Sequence, residues 1–257
     1  MYDDLKGKVV IVTGASSGIG YAIAERFNKE GAKVYNLDIV PPKTEIKGVE
    51  YIKCDVSDEK MVRDAIETIV SKEGRIDVVV NNAGIESYGS VHEVTPAEWD
   101  RIMNVNLRGS YLVSHYAIPH MMERGGVIEF ISSVQAVVIQ KRLAAYVTSK
   151  HALIGLMKSI ALDYAPKIRS VAILPGSVRT PLLEWAAAQE VGNDPVKINQ
   201  KIEEWGRLYP MKRVAEPYEI AALAVFLASN EASYITGAAI IIDGGISIYL
   251  PESVPEK

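Results

Sequence analysis

Short apolar runs rich in β-branched residues alternate along this chain with longer stretches patterned as helices. Residues 8–14 (KVVIVTG), 33–38 (KVYNLD), 49–55 (VEYIKCD), 77–84 (DVVVNNAG), 126–133 (GVIEFISS), 171–176 (VAILPG) and 238–245 (AAIIIDGG) read as strands. Helical patterns fall at 18–30, 58–73, near 96–103, at 105–123 and at 146–165. Strands that are apolar on both faces and separated by helices belong in a parallel sheet covered on each side. Right-handed crossovers then wind the chain into an α/β fold, a seven-stranded doubly wound parallel sheet forming one domain over 1–257.

The alternation lapses between 177 and 213, where PLLEWAAAQEV and PVKINQKIEEWG are separated by GNDP. Two helices inserted at the ligand edge of such a sheet predict a lid over a pocket. Beyond Gly245 the chain continues as ISIYLPESVPEK, and its two prolines predict an extended arm over 246–257.

Composition narrows the function classes. With 257 residues, 48% of them hydrophobic, the chain can bury a large core without metals or disulfides. A net charge of −4 gives no reason to expect a nucleic-acid partner. Cys54 is the one cysteine, so no intramolecular disulfide forms, in keeping with a cytoplasmic location. His92, His115, His120 and His151 form no HExxH or Cys/His cluster, and no metal is expected. No signal peptide and no apolar run long enough to span a bilayer is present, so no membrane partner is expected.

The candidate chemistry begins at VTGASSGIG, which places Gly14, Gly18 and Gly20 between a strand and a helix. Glycine lets the turn tighten and approach a pyrophosphate, and the helix N-terminus supplies free N–H groups. The second strand ends at Asp38, whose carboxylate would accept from the adenosine ribose hydroxyls and repel a 2′-phosphate. Ile39 follows it in place of an arginine and Ser17 is uncharged, so NAD is favoured over NADP; Lys43 keeps some NADP use open. In AAYVTSKHA, Tyr146 and Lys150 are four apart and share one helix face. A lysine ammonium and the positive nicotinamide ring beside the phenol are both expected to lower its pKa and make Tyr146 a base for a substrate hydroxyl.

TGASSGIG, NNAG at 81–84, YVTSK at 146–150 and PG at 175–176 occur in that order, and together they resemble the short-chain dehydrogenase/reductase family from about Lys8 to Gly245. NNAGIESYG, SSVQA and IEEWG resemble more narrowly the aldose dehydrogenases of that family, which act at the sugar C1. The resemblance implies a Rossmann fold and a catalytic tetrad of Asn106, Ser133, Tyr146 and Lys150, with Asn104 and Ser132 as the less favoured neighbours. Asn106 is expected to kink its helix and hold a water that links Lys150 to solvent. For the dinucleotide it implies Ser17 and Ile19 beside the glycines, Asp55 and Val56 at adenine, and Asn82, Ala83 and Gly84 along the adenosine half. Pro175, Gly176, Val178 and Thr180 would then face the nicotinamide, and Lys150 its ribose. Read alone, Asp55 could equally cap a helix and Asn82–Gly84 form only a turn. The resemblance further implies a homotetramer, and the arm at 246–257 is expected to close a neighbouring subunit's site.

For the substrate, Glu86 follows Gly84 by two residues and could accept from adjacent sugar hydroxyls. An apolar substrate would leave it unpaired. Gln135 is a second polar candidate, and Trp185 or Trp205 could offer a flat face to a sugar ring. With Ser133 and Tyr146 these predict oxidation of an aldohexose such as mannose or glucose at C1 to the lactone by NAD. The competing readings are a 3-ketoacyl-carrier-protein reductase or other secondary-alcohol dehydrogenase, and a non-enzymatic dinucleotide sensor.

Overall fold

In the computed structural model, which describes residues 2–250, seven parallel strands form one sheet. They are β1 (Val9–Thr13), β2 (Lys33–Asp38), β3 (Val49–Lys53), β4 (Val78–Asn81), β5 (Gly126–Ile131), β6 (Ile168–Pro175) and β7 (Ala239–Ile242). Their spatial order is β3-β2-β1-β4-β5-β6-β7, so the winding reverses between β1 and β4. Ligand crevices of such sheets open at that reversal, outside the carboxyl ends of the strands. Every residue of β1 and β4 is buried, the reason these strands read as unbroken apolar runs.

Alternation along the strands divides the interior into two cores. Ile11, Val79, Ile128 and Leu174 pack on one face beneath α2 (Glu59–Glu73), α4 (Gly109–Met121) and α5 (Ala144–Asp163). Val10, Val80, Ile131 and Ile173 pack on the other beneath α1 (Gly18–Lys29) and α8 (Pro217–Ala228). The remaining helices are α3 (Pro96–Met103), α6 (Pro181–Val191) and α7 (Pro195–Arg207). A small third core of Ala187, Ile202 and Val214 holds α6 and α7 together.

The sequence pattern missed α8 and began β6 three residues late, at Val171 instead of Ile168. It also read a break after residue 103, where the chain instead runs through a π-helical turn, Asn104–Arg108, directly into α4. No helix among the described residues is long and apolar enough to cross a membrane, and no three His, Cys, Asp or Glu side chains among them group to hold a metal. Residues 251–257 of the expected arm lie outside the described residues; Ile246–Ile248 form a short 3-10 turn.

Candidate active site

Residues following β4, β5 and β6 line one cavity of about 430 Å³, walled on its open side by α6 and the end of α7. Tyr146 and Lys150 lie one turn apart on α5, both buried. Lys150 Nζ lies 5.5 Å from the Tyr146 ring centroid and donates to the Ile131 carbonyl at the end of β5 (2.9 Å). Ser132 ties the same junction, its hydroxyl donating to the Lys150 carbonyl (2.8 Å). Its neighbour Ser133 lines the cavity, accepts from the Gln135 N–H (3.1 Å) and hydrogen-bonds with Tyr146. The two serines thus divide, one bracing α5 and one addressing the phenol.

Asn106 is fully buried within the π-helical turn. Its Oδ1 accepts from the Ile85 N–H (2.8 Å), and its Nδ2 donates to the Ile85 carbonyl (3.0 Å) and to Ser149 Oγ (2.9 Å). Its carbonyl accepts from the Ser110 hydroxyl (2.9 Å) in the widened turn. Asn104 is exposed instead. Gly84 lies between these groups: a Cβ there would be 3.4 Å from Lys150 Nζ and 3.5 Å from Asn106 Oδ1.

Electrostatics departs from the spacing argument at Tyr146. Its phenol is pushed well above the ordinary range by burial and then by the Glu86 charge, with only the Ser133 hydrogen bond pulling it down. The expected lowering by Lys150 is therefore corrected: desolvation and a carboxylate from another loop prevail, and helical spacing reports neither. Burial lowers the Lys150 ammonium to about 8, against the opposing pull of Glu86. Glu86 itself is raised by burial, partly offset by a hydrogen bond with Tyr88 and by the Lys150 charge.

The glycine turn is built for close approach. Gly14 has φ +66°, and a Cβ on it would come within 2.9 Å of Ala83 Cα. A Cβ on Gly20 would collide with the Gly14 carbonyl and the Asn82 amide. Asn82 and Ala83 brace this turn from β4: Asn82 Nδ2 donates to the carbonyls of Thr13 (2.9 Å) and Gly14 (3.1 Å), and both backbone N–H groups donate to Thr13 Oγ1. Ser17 is the N-cap residue of α1, followed by Gly18 and Ile19. A Cβ on Gly18 would meet Thr180 Cγ2 at 3.2 Å, which places the β6 loop across from the turn. Thr180 N-caps α6, and Pro175, Gly176 and Val178 line the cavity with Ile19. Asp38 ends β2 beside the turn and accepts from the Ser16 N–H (3.0 Å). Asp55 closes on the Ser57 N–H (2.9 Å) and hydroxyl (2.6 Å), and Val56 is buried against Gly109.

Among the substrate candidates, Glu86, Gln135 and Trp205 line the cavity. Gln135 has its Oε1 engaged by the Gln140 N–H (2.8 Å). Trp185 does not line it, a correction to the sequence reading. Leu182, Leu183 and Ala186 present the inner face of α6, which turns Trp185 sideways onto Tyr88 (ring centroids 5.9 Å apart, 22° between planes). Tyr88 and Tyr209 were missed. Tyr88 had a signal, since residues two apart in an extended loop share a side with Glu86. Tyr209, which bonds Ser177 Oγ (2.7 Å) across the cavity wall, had none.

A family model described as Enoyl-(Acyl carrier protein) reductase matches residues 14–247. The chain is a member of the short-chain dehydrogenase/reductase family. The ligand-free aldohexose dehydrogenase of Thermoplasma acidophilum is 52% identical and superposes with a TM-score of 0.97 over 100% of both chains. The 3-ketoacyl-(acyl-carrier-protein) reductase of Brucella melitensis, solved with NADH, is 36% identical with a TM-score of 0.84, over 95% of this chain and 99% of that one. Oxidoreductase UcpA of Escherichia coli K12 is 40% identical over 97% of each chain. As a short-chain dehydrogenase/reductase the chain is an NAD(P)-dependent dehydrogenase acting on a small molecule, and the non-enzymatic reading is set aside. Its residues fit a nicotinamide dinucleotide: the turn packs so tightly on Asn82 and Ala83 that no side chain is accommodated at Gly14 or Gly20, and it leads into the N-terminus of α1.

Proposed function

We propose that this enzyme oxidises the C1 hydroxyl of an aldohexose such as mannose or glucose, with NAD, to the aldonolactone. The observation that carries the reading is Glu86, a half-buried carboxylate lining the same cavity as Tyr146 and Ser133. A polyol supplies further donors for it, whereas an apolar substrate would strip its solvent and leave only Tyr88 and the Lys150 charge to offset the burial. The aldohexose dehydrogenase at 52% identity supports the same class. The Brucella reductase supports the 3-ketoacyl alternative, and Leu143, Leu183 and Val138 on the walls would suit an acyl chain; Glu86 speaks against it.

In this reading Ser133 hydrogen-bonds the C1 oxygen and Tyr146 takes its proton. When bound, the nicotinamide ring accepts the hydride. Lys150 holds the nicotinamide ribose, and the positive charge of the bound nicotinamide ring would favour the Tyr146 phenolate. Asn106 holds a water that leads from Lys150 toward solvent and fixes Ile85, hence the entry to the Glu86 loop. Gly14, Ser17, Gly18, Ile19 and Gly20 take the pyrophosphate, Asp38 the adenosine ribose, Asp55 and Val56 the adenine. Asn82, Ala83 and Gly84 line the adenosine half, and Pro175, Gly176, Val178 and Thr180 the nicotinamide. Residues 177–213 act as the lid, and the working form is a homotetramer.

Glu86→Gln tests the substrate class. Loss of the charged acceptor raises KM for aldohexoses by about tenfold, while KM for a simple secondary alcohol changes little. Equal effects on both would remove the sugar-binding role of Glu86.

A further inference from the structure

Asn36 stands two residues before Asp38 on β2, so both side chains leave the same face of the sheet. It is a polar residue only 1% exposed, and its amide is committed to the glycine-rich turn. Its Oδ1 accepts from the Ala15 N–H (3.1 Å), and its Nδ2 donates to Ser16 Oγ (3.0 Å). Ser16 carries the connection onward. Its hydroxyl donates to the Val40 carbonyl (2.6 Å), and its backbone N–H donates to Asp38 Oδ2 (3.0 Å). The Val40 N–H donates to Asp38 Oδ1 (3.3 Å). Both oxygens of Asp38 are anchored, one to the turn and one just past its own strand.

An unanchored aspartate can relieve a clash with a 2′-phosphate by changing rotamer. This one turns aside only by breaking two hydrogen bonds, and one of them belongs to the turn that receives the pyrophosphate. Discrimination needs a repulsive group that stays in place. We infer that Asn36 and Ser16 are positioning residues that fix Asp38, and thereby set the preference for a dinucleotide with a free 2′-hydroxyl over one carrying a 2′-phosphate.

The inference rests on the NAD reading above. Its test is direct binding: calorimetric Kd values for NAD and NADP, taken on the wild type, Ser16→Ala, Asn36→Leu, Asp38→Ala and the Ser16→Ala/Asp38→Ala double variant. The wild type binds NAD the more tightly. Ser16→Ala removes the hydroxyl's bonds to Val40 and Asn36 while keeping the N–H bond to Asp38, and Asn36→Leu removes the bonds to Ala15 and Ser16. Each loosens the backbone that holds Asp38 and narrows the NAD-to-NADP ratio by up to about tenfold, the scale of one lost buried hydrogen bond. In the Asp38→Ala background Ser16→Ala leaves the ratio unmoved, because Ser16 acts through Asp38. Should Asn36→Leu fold poorly, Ser16→Ala alone decides, since it keeps the Asn36 bond to Ala15. A wild type that favours NADP overturns the NAD reading and this inference with it. A wild type that favours NAD, with variants that keep its ratio or with additive Ser16 and Asp38 effects, overturns the inference alone.

Discussion

At the centre of β5, Glu129 is fully buried and neither of its carboxyl oxygens has a hydrogen-bond partner. Burial raises its pKa well above the usual carboxylate value of 4.5, opposed only by the Arg169 guanidinium from the neighbouring strand. Arg169 is itself committed to the carbonyls of Leu227, Ser229 and Ile235. The folded state therefore binds this proton more tightly than the unfolded chain. The stability it contributes is complete below the unfolded pKa and is lost as pH rises toward the folded one. Glu129→Gln, which cannot ionise, should match the wild-type Tm at about pH 4 and exceed it by several degrees at about pH 9. Parallel Tm curves across that range would contradict this. Nothing in GVIEFISS marks Glu129 as unpaired, because pairing is a property of the neighbours. Tyr146 and Lys150 were legible for the opposite reason: their relation lies within one helix. The direction in which the Tyr146 phenol moves was not legible, since it depends on burial and on Glu86 from another loop.

Among elements, those with a clear period or bounded apolar runs were read nearly to the residue. α8 was not, because Ile220, Ala221, Ala224, Val225, Leu227 and Ala228 are buried almost all round and leave no polar stripe to betray the period. A signal did exist upstream, in Pro217 at the first turn and the capping box of Glu216 with Glu219. β6 began late in the reading because Arg169 and Ser170 look like loop residues until the carbonyls that receive Arg169 are known. The glycine turn between β1 and α1 was legible in position and in its tightness, and it carries a prediction. Gly20→Ala would drive a Cβ into the Gly14 carbonyl and the Asn82 amide. It should weaken NAD binding at least about tenfold and destabilise the fold by about 1–3 kcal/mol. Calorimetry and thermal melting check both, and wild-type affinity in the alanine variant would refute the cradle as drawn.

At the scale of the molecule, the doubly wound sheet followed from strand character and alternation alone, whereas its outer surface did not. β7 is an edge strand with Ile241 43% exposed, and nearby lie Leu162 at 81% and Tyr234 at 101%. An apolar edge left exposed among the described residues invites pairing with another copy. For the homotetramer proposed above, sedimentation equilibrium should give a mass of four chains; a monomer at micromolar concentration would contradict the assembly. The substrate is set by the shape of the pocket, which sequence patterns report least. The most direct test is NADH formation followed with a panel of aldohexoses, simple secondary alcohols and a 3-hydroxyacyl thioester, with the sugar product identified. Turnover is expected with mannose or glucose, with release of the aldonolactone, and little or none with the others. Turnover confined to the non-carbohydrate alcohols or the thioester would contradict it.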